Sequence, residues 1–367
     1  MTNLSLETDV SPRVAGEHNC RLTPLVSFVM PVYNTASYLE EAVDSILCQS
    51  YENFELIAVN DGSTDGSGEI LDRYEKADNR VRVLRQENKG MVAALNAGLA
   101  VARGKYIARV DSDDVSLPER LAKQVAFMES HPEIGVCGTR CGFFGDKGEF
   151  VGTVPPTDPE LIKCRLLFLP TMSHTAVMMR NDLVQDHHLY YNPEVGQAED
   201  YDLWTRFSRH TLLSNIPDVL MNIRMHSAST TRSFVGRQDK CLSLVHKQVL
   251  QSLGIEPSEE ELDLHLALSV CNHERSLIYV DHAEKWLGKI AEANRRAGVY
   301  DAHLLAQVLG ERWLLVCVFA SELGMSRFSR FGKSKLFVGY GALTRYCYSL
   351  GLIRFLKSAW RHVFAGS

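Results

Sequence analysis

Three carboxylates fall within four positions at Asp111, Asp113 and Asp114, directly after the apolar run KYIARV. Neighbouring carboxylates in a partly dry site repel by kilocalories, so such a cluster calls for a cation or a set of donors facing it. Mg2+ or Mn2+ would suit it, because both favour hard oxygen ligands: one or two carboxylates, substrate phosphates and water. A solvated acidic turn has the same composition, so the context must decide.

A second acidic turn, NDGSTD at Asn60 to Asp65, sets Asp61 beside glycine and hydroxyl residues. Its carboxylate can accept from an imide or a ribose hydroxyl, or it can close a plain Asx turn.

The elements that must position these groups follow from periodicity. Short β-rich runs (LVSFVMPV, FELIAVN, VRVLR, KYIARV) alternate with helical stretches (ASYLEEAVDSILCQ, GSGEILDRYEK, GMVAALNAGLAVA) from residue 25 to 114. This βαβαβαβ order implies parallel strands joined by right-handed crossovers, a doubly wound and mostly parallel α/β sheet with helices on both faces. Ligands then bind beyond the carboxyl ends of the strands. Each strand here ends in a polar turn, at Pro31, Asn60, Gln86 and Asp111. Ser116, Pro118 and Glu119 read as N-cap, first-turn proline and capping-box partner of a helix just past the acidic cluster. A hairpin is expected near FFGDKGEF, a strand at HTAVMMR and a helix opening at AEDYDLWTRFSRH. From Arg237 to Gly324 the spacing is helical, with turns at Gly254, Pro257 and Gly298.

The 367 residues, 45% of them hydrophobic, can bury a full core. A net charge of −6 gives no overall basic field and argues against nucleic acid as a partner. Charge is uneven, though. Eight of the 39 Lys and Arg residues lie between Leu323 and Ser367, where there is no acid. Nine cysteines without a C-x-x-C pair fit reduced thiols and a cytoplasmic setting. Residues 1–24 read as a disordered lead-in, and the apolar run WLLVCVFA is far short of the ~20 residues that span a bilayer. GSGEIL follows the second strand rather than the first and makes a weak dinucleotide fingerprint; no Walker loop is present.

Taken together, VSFVMPVYN, NDGSTD, NKGMVAALNAGL and YIARVDSDD resemble the family 2 glycosyltransferases of the GT-A fold, in bacterial form, in identity, order and spacing. The resemblance covers residues 25 to about 235. It implies an inverting, metal-dependent transfer from a nucleotide-diphosphate sugar, by family habit a UDP-sugar, to a hydroxyl of a glycan, lipid-linked or other acceptor in cell-surface glycan or polysaccharide synthesis. Pro31 and Tyr33 would border the base, and Asp61 would bind uracil or ribose. Asp111 would contact the nucleotide, Asp113 would bind the divalent ion, and Asp114 and Arg109 would face the donor sugar or phosphates. Lys89 would be a further phosphate or base contact, or a solvated lysine.

An inverting attack needs a carboxylate within hydrogen-bond reach of the acceptor hydroxyl. The Glu-Asp pair of the family maps this base to Asp200, with Glu199 and Trp204 on the acceptor side. First-turn acids also complement a helix dipole, which leaves a structural reading open. His226 matches a position near the metal and diphosphate and would be a further metal ligand, with a structural histidine as the alternative; His174 matches one that lines the acceptor side and could equally be structural.

The resulting division is a lead-in at 1–24 and a transferase domain at 25–235, with a nucleotide-binding half to 115 and an acceptor half beyond. A helical region at 236–324 and a basic amphipathic tail at 325–367 follow. In the tail Tyr346, Leu350, Ile353, Leu356, Trp360 and Val363 recur at helical spacing among basic residues, as in a helix lying on an anionic membrane face or packed on its own domain. Two rivals remain. A sugar nucleotidyltransferase would need a glycine-rich GGxGTRL start, which is absent; a non-catalytic nucleotide-sugar-binding protein would be expected to lose Asp113 or Asp200.

Overall fold

Strand β1 (Val26–Val32) is buried on both faces, as a strand between two helical layers must be. Phe28, Met30 and Val32 enter one core, and Val29 enters the other with Ile107. In this computed structural model the described residues are 25–146, 148–226, 238–272, 276–319 and 332–336. The expected lead-in at 1–24 and nearly all of the basic tail lie outside them.

Helix α1 (Ala36–Leu47) turns Leu39, Ala42, Val43 and Ile46 inward at the i, i+3, i+4, i+7 spacing of one face. β2 (Phe54–Asp61), α2 (Ser67–Ala77), β3 (Val81–Gln86), α3 (Met91–Val101) and β4 (Tyr106–Arg109) complete the predicted alternation. The remaining strands are β5 (Val115–Ser116), β6 (Ile134–Gly145), β7 (Phe150–Val151), β8 (Met178–Arg180) and β9 (Leu212–Met225). Among the described residues the sheet has nine strands in the order β3-β2-β1-β4-β8-β6-β9-β5, with β7 paired to β6. β1 to β4 are mutually parallel, whereas β8 runs antiparallel to both β4 and β6, and β5 antiparallel to β9. The first half of the sheet is thus wholly parallel and the second half mixed, with β6 and β9 forming a long parallel ladder.

The chain leaves β1 toward β2 on one side and meets β4 on the other, so the crevice between the β1 and β4 ends is a topological switch point. Asp111 to Asp114 follow β4 directly into that crevice.

Two local expectations need correction. Ser116 is no helix cap: it pairs with Met221 in β5, its N–H is accepted by Ser45 Oγ, and α4 (Arg120–Ser130) opens four residues later without a side-chain cap. Ser116 is held in the ladder with β9, and its Oγ accepts from Arg120 Nη1 instead of from a helix N–H. The run HTAVMMR is a strand only from Met178, because His174–Ala176 form a 3-10 turn.

Among the described residues four helices follow the sheet: α8 (Gln238–Ser252), α9 (Glu259–Val270), α10 (Leu277–Ala297) and α11 (Ala302–Phe319), after α5 (Pro159–Arg165), α6 (Asn181–Asp186) and α7 (Glu199–Phe207). The four pack around Leu250, Leu268, Trp286 and Trp313, with Leu167 and Phe168 from the segment after α5. By length and composition α11 could cross a bilayer, yet more than half of it is buried against its neighbours and it carries Glu311 and Arg312. It serves as a core helix of this unit.

Candidate active site

The acidic loop is held from both sides. Immediately after it, β5 returns to pair with β9, and this brings Arg224 across from the carboxylates. The Arg224 backbone N–H donates to Asp114 Oδ1 at 2.9 Å, and its Nε donates to the Asp113 carbonyl at 2.9 Å. His226 Nε2 lies 3.0 Å from Asp113 Oδ2. On the β1 side Thr35 Oγ1 donates to Ser112 Oγ at 3.0 Å. Asp111 pairs with the buried Arg109 guanidinium, and its N–H donates to Thr175 Oγ1 at 3.1 Å. Beneath lies Arg120, fully buried, which donates to the Arg109 carbonyl at 2.7 Å and to Ser116 Oγ at 3.0 Å.

One oxygen from each of Asp111, Asp113 and Asp114 falls within 4.8 Å of the others. Part of the positive charge nearby is spent elsewhere, Arg120 on the carbonyls of Arg109 and Val177 and Arg224 also on Glu41. Burial pushes the Asp114 carboxyl up to about 8, helped by repulsion from Asp111 and Asp113. Burial also raises Asp111, against the pull of Arg109. A set of three hard oxygen donors with one member held near neutrality is the arrangement a divalent cation would relieve, so the residues fit Mg2+ or Mn2+.

The opposite wall comes from α7 and the segments before it. A cavity of about 450 Å3 is lined by Arg109, Asp111, Asp113 and Asp114 on one side and by His174, Glu199 and Asp200 on the other. The fold therefore brings together acids that lie nearly ninety positions apart in sequence. Burial pushes Asp200 up to about 6, though its Oδ1 accepts the Tyr201 N–H at 2.6 Å. Burial, then the charge of Asp200, pushes Glu199 up to about 7, and its Oε2 has no hydrogen-bond partner. His174 Nε2 hydrogen bonds with the Tyr191 hydroxyl at 2.8 Å. Burial, then nearby Arg109, keeps that imidazole neutral, well below its ordinary range.

Pro31, Tyr33, Asp61 and Lys89 do not line this cavity; they lie on the rim of strand ends beside it. Tyr33 is half exposed there and Lys89 is exposed. Asp61 is buried, with its carboxylate already accepting from Gln86 Nε2 at 2.7 Å, Lys89 N–H at 2.9 Å and Gly90 N–H at 2.8 Å. It shapes the turn after β3 before it touches any ligand. Gly62, at φ +73°, lets that turn approach: a Cβ there would sit 2.8 Å from Asn88 N. Trp204 needs correction as an acceptor contact. It is fully buried, with its ring edge-on to His174 at 6.1 Å between centroids, so it supports the wall from behind.

Sequence reading missed Arg224, whose position opposite the acids depends on the β5–β9 pairing, and Arg120, which looks like a solvated first-turn residue. Gln197, whose Oε1 is buried without a partner on the cavity wall, was also missed. Tyr38, its ring tilted 32° against that of His226 and beneath Arg224, completes the set.

The glycosyl transferase family 2 model matches residues 27–187. An uncharacterized glycosyltransferase of Haemophilus influenzae is 31% identical over 253 residues, which cover 65% of this chain and 77% of that one. The O-antigen biosynthesis glycosyltransferase WbnJ of Escherichia coli is 32% identical over 239 residues, covering 64% of this chain and 92% of WbnJ. The chain belongs to glycosyl transferase family 2. Among solved structures, S. aureus TarS 1-349 in complex with UDP-GlcNAc aligns with a TM-score of 0.53 at 21% identity, covering 83% of this chain and 92% of that one. This is a likeness of fold, and the fold is GT-A. The acidic cavity of this family 2 glycosyltransferase thus sits at the switch point of a GT-A sheet, with carboxylates on both walls.

Proposed function

We propose that this glycosyltransferase moves a sugar from a nucleoside-diphosphate donor to an acceptor hydroxyl by a single, inverting displacement. The observation that carries the reading is a cavity with the acidic loop on one wall and Asp200 on the other. A divalent ion, Mg2+ or Mn2+, would be held by Asp113 with Asp111 and Asp114 and would supply neutralisation of the departing diphosphate. Arg109 and Arg224 add fixed positive charge beside it. Asp200, raised toward neutrality by burial, is suited to take the acceptor proton near physiological pH. Glu199 orients the acceptor, and Tyr191 fixes His174 on the same side.

The rim formed by Tyr33, Asp61 and Lys89 would receive the base and ribose. TarS, titled as a UDP-GlcNAc complex, makes UDP the first nucleotide to try, and WbnJ, named for O-antigen biosynthesis, points to a glycan or polysaccharide acceptor.

The test is turnover of a panel of UDP-, GDP- and dTDP-sugars with Mn2+, in the wild type and in Asp113→Ala and Asp200→Ala. One donor should be consumed, and both variants should be nearly inactive. Wild-type turnover in either variant would overturn the assignment of that residue.

A further inference from the structure

A second cavity of about 410 Å3 adjoins the first, and Leu169 and Pro170 line both. We infer that this second cavity is a subsite for a saccharide ring of the acceptor, one unit removed from the hydroxyl that reacts. The inference rests on the proposed transfer and names where the acceptor's remaining length would lie.

The volume is within the range of small-ligand sites. Its wall joins the sheet to the last helix: Phe143 comes from β6, Thr171 and Met172 from the segment after α5, and Glu311 from α11. Glu311 is buried, and both of its oxygens stand 3.4 Å from Arg165 Nη2, with Gln307 Nε2 at 3.3 Å. A closed charge-assisted pair would stand at about 2.7–2.9 Å, so this carboxylate is only loosely engaged. Burial raises its carboxyl above the ordinary range. Thr171 Oγ1 is buried with no hydrogen-bond partner among the described residues.

This chemistry suits a vicinal diol. One hydroxyl can donate to Glu311 while its neighbour accepts from the guanidinium of Arg165, and Thr171 can serve a third polar atom. Phe143 and Met172 offer apolar surface to the C–H face of a ring. Three guanidiniums and one carboxylate line the cavity, so an anion is the rival occupant that the test must separate. Arg312 uses Nη1 on the carbonyls of Leu268 and Ser269 at 3.3 and 3.2 Å, and Arg140 uses Nε on that of Gly152 at 2.8 Å. Each of these two guanidiniums thus spends a donor on the backbone, and a phosphate would also meet the carboxylate of Glu311.

Saturation-transfer NMR on the full chain with cellobiose, lactose and N,N'-diacetylchitobiose tests the subsite. Thr171→Val removes a hydroxyl that makes no bond, so its melting temperature should match the wild type. At least one disaccharide should bind, and T171V and E311Q should each weaken it about fivefold or more, the scale of one lost hydrogen bond. Three results would overturn the inference: no binding by any of the disaccharides, equal binding by both variants, or displacement of the sugar by inorganic phosphate. Donor turnover by the wild type is read separately. If it is absent while disaccharide binding follows Thr171 and Glu311, the transfer reading fails and the saccharide site stands.

Discussion

His226 Nε2 stands 3.0 Å from an Asp113 carboxylate oxygen, with its ring on that of Tyr38 at 4.7 Å between centroids. The end of β9 is thereby tied both to the acidic loop and to α1, the helix that follows the β1 turn. Three stretches far apart in sequence converge on one carboxylate, and that convergence makes Asp113 addressable by mutation.

His226→Ala should leave the fold intact and raise the Mn2+ concentration for half-maximal turnover by about 10–100-fold, as loss of a ligand or of its orienting partner does. Asp113→Asn should abolish metal activation altogether. Titrating Mn2+ against donor turnover separates the two. Identical Mn2+ curves for H226A and wild type would show that the imidazole only packs.

A pH profile reads Asp200. Its carboxyl is pushed up to about 6 by burial, and a base works only when ionised, so kcat/KM should fall about tenfold per pH unit below that point and level off above it. Asp200→Asn should lose about 10²–10⁴-fold and show no such limb. An unchanged acid limb in D200N would assign the titration elsewhere.

Glu199 makes the opposite claim on stability. A carboxyl raised to about 7 in the folded state, from an ordinary range near 4.5, stabilises the fold in its protonated form. That contribution is complete below the unfolded value and is lost as pH rises through about 7. Glu199→Gln stays neutral throughout. At pH 8 it should exceed the wild type by an amount on the order of 3 kcal/mol at most, and the gain should vanish near pH 4. Melting temperatures across that span check the sign.

Much of this site can be read from the chain before any coordinates. Asp111, Asp113 and Asp114 announce themselves because carboxylates crowded beside an apolar run need a reason, the βαβ alternation puts strand ends on one rim, and Glu199 and Asp200 enter through the family resemblance. What escapes is whatever depends on pairing between distant strands. β5 has two residues, too few for any periodicity, yet its ladder with β9 sets Arg224 on the acids and denies Ser116 its cap. Arg120 escapes for a related reason. Its first-turn position reads as solvated, and only the packing of α4 under the loop turns its guanidinium onto the Arg109 carbonyl. Trp204 shows the converse error, since an aromatic one turn from the acids can as easily brace the wall as line it.

Asp61 offers a last test, because its buried carboxylate is already filled by the turn it holds. Two backbone N–H groups, of Lys89 and Gly90, and the Gln86 amide all donate to it. Asp61→Asn replaces one acceptor oxygen by an NH2 group that must face a donor, so at least one hydrogen bond is lost and a buried donor is left without a partner. The expected destabilisation is about 1–3 kcal/mol. With the turn loosened, Lys89 loses its fixed place beside the proposed nucleoside rim, and KM for the donor should rise more than kcat falls. Chemical denaturation gives the first quantity and donor-dependent kinetics the second. A normal KM in a destabilised D61N would confine Asp61 to holding the turn and remove it from the nucleoside site.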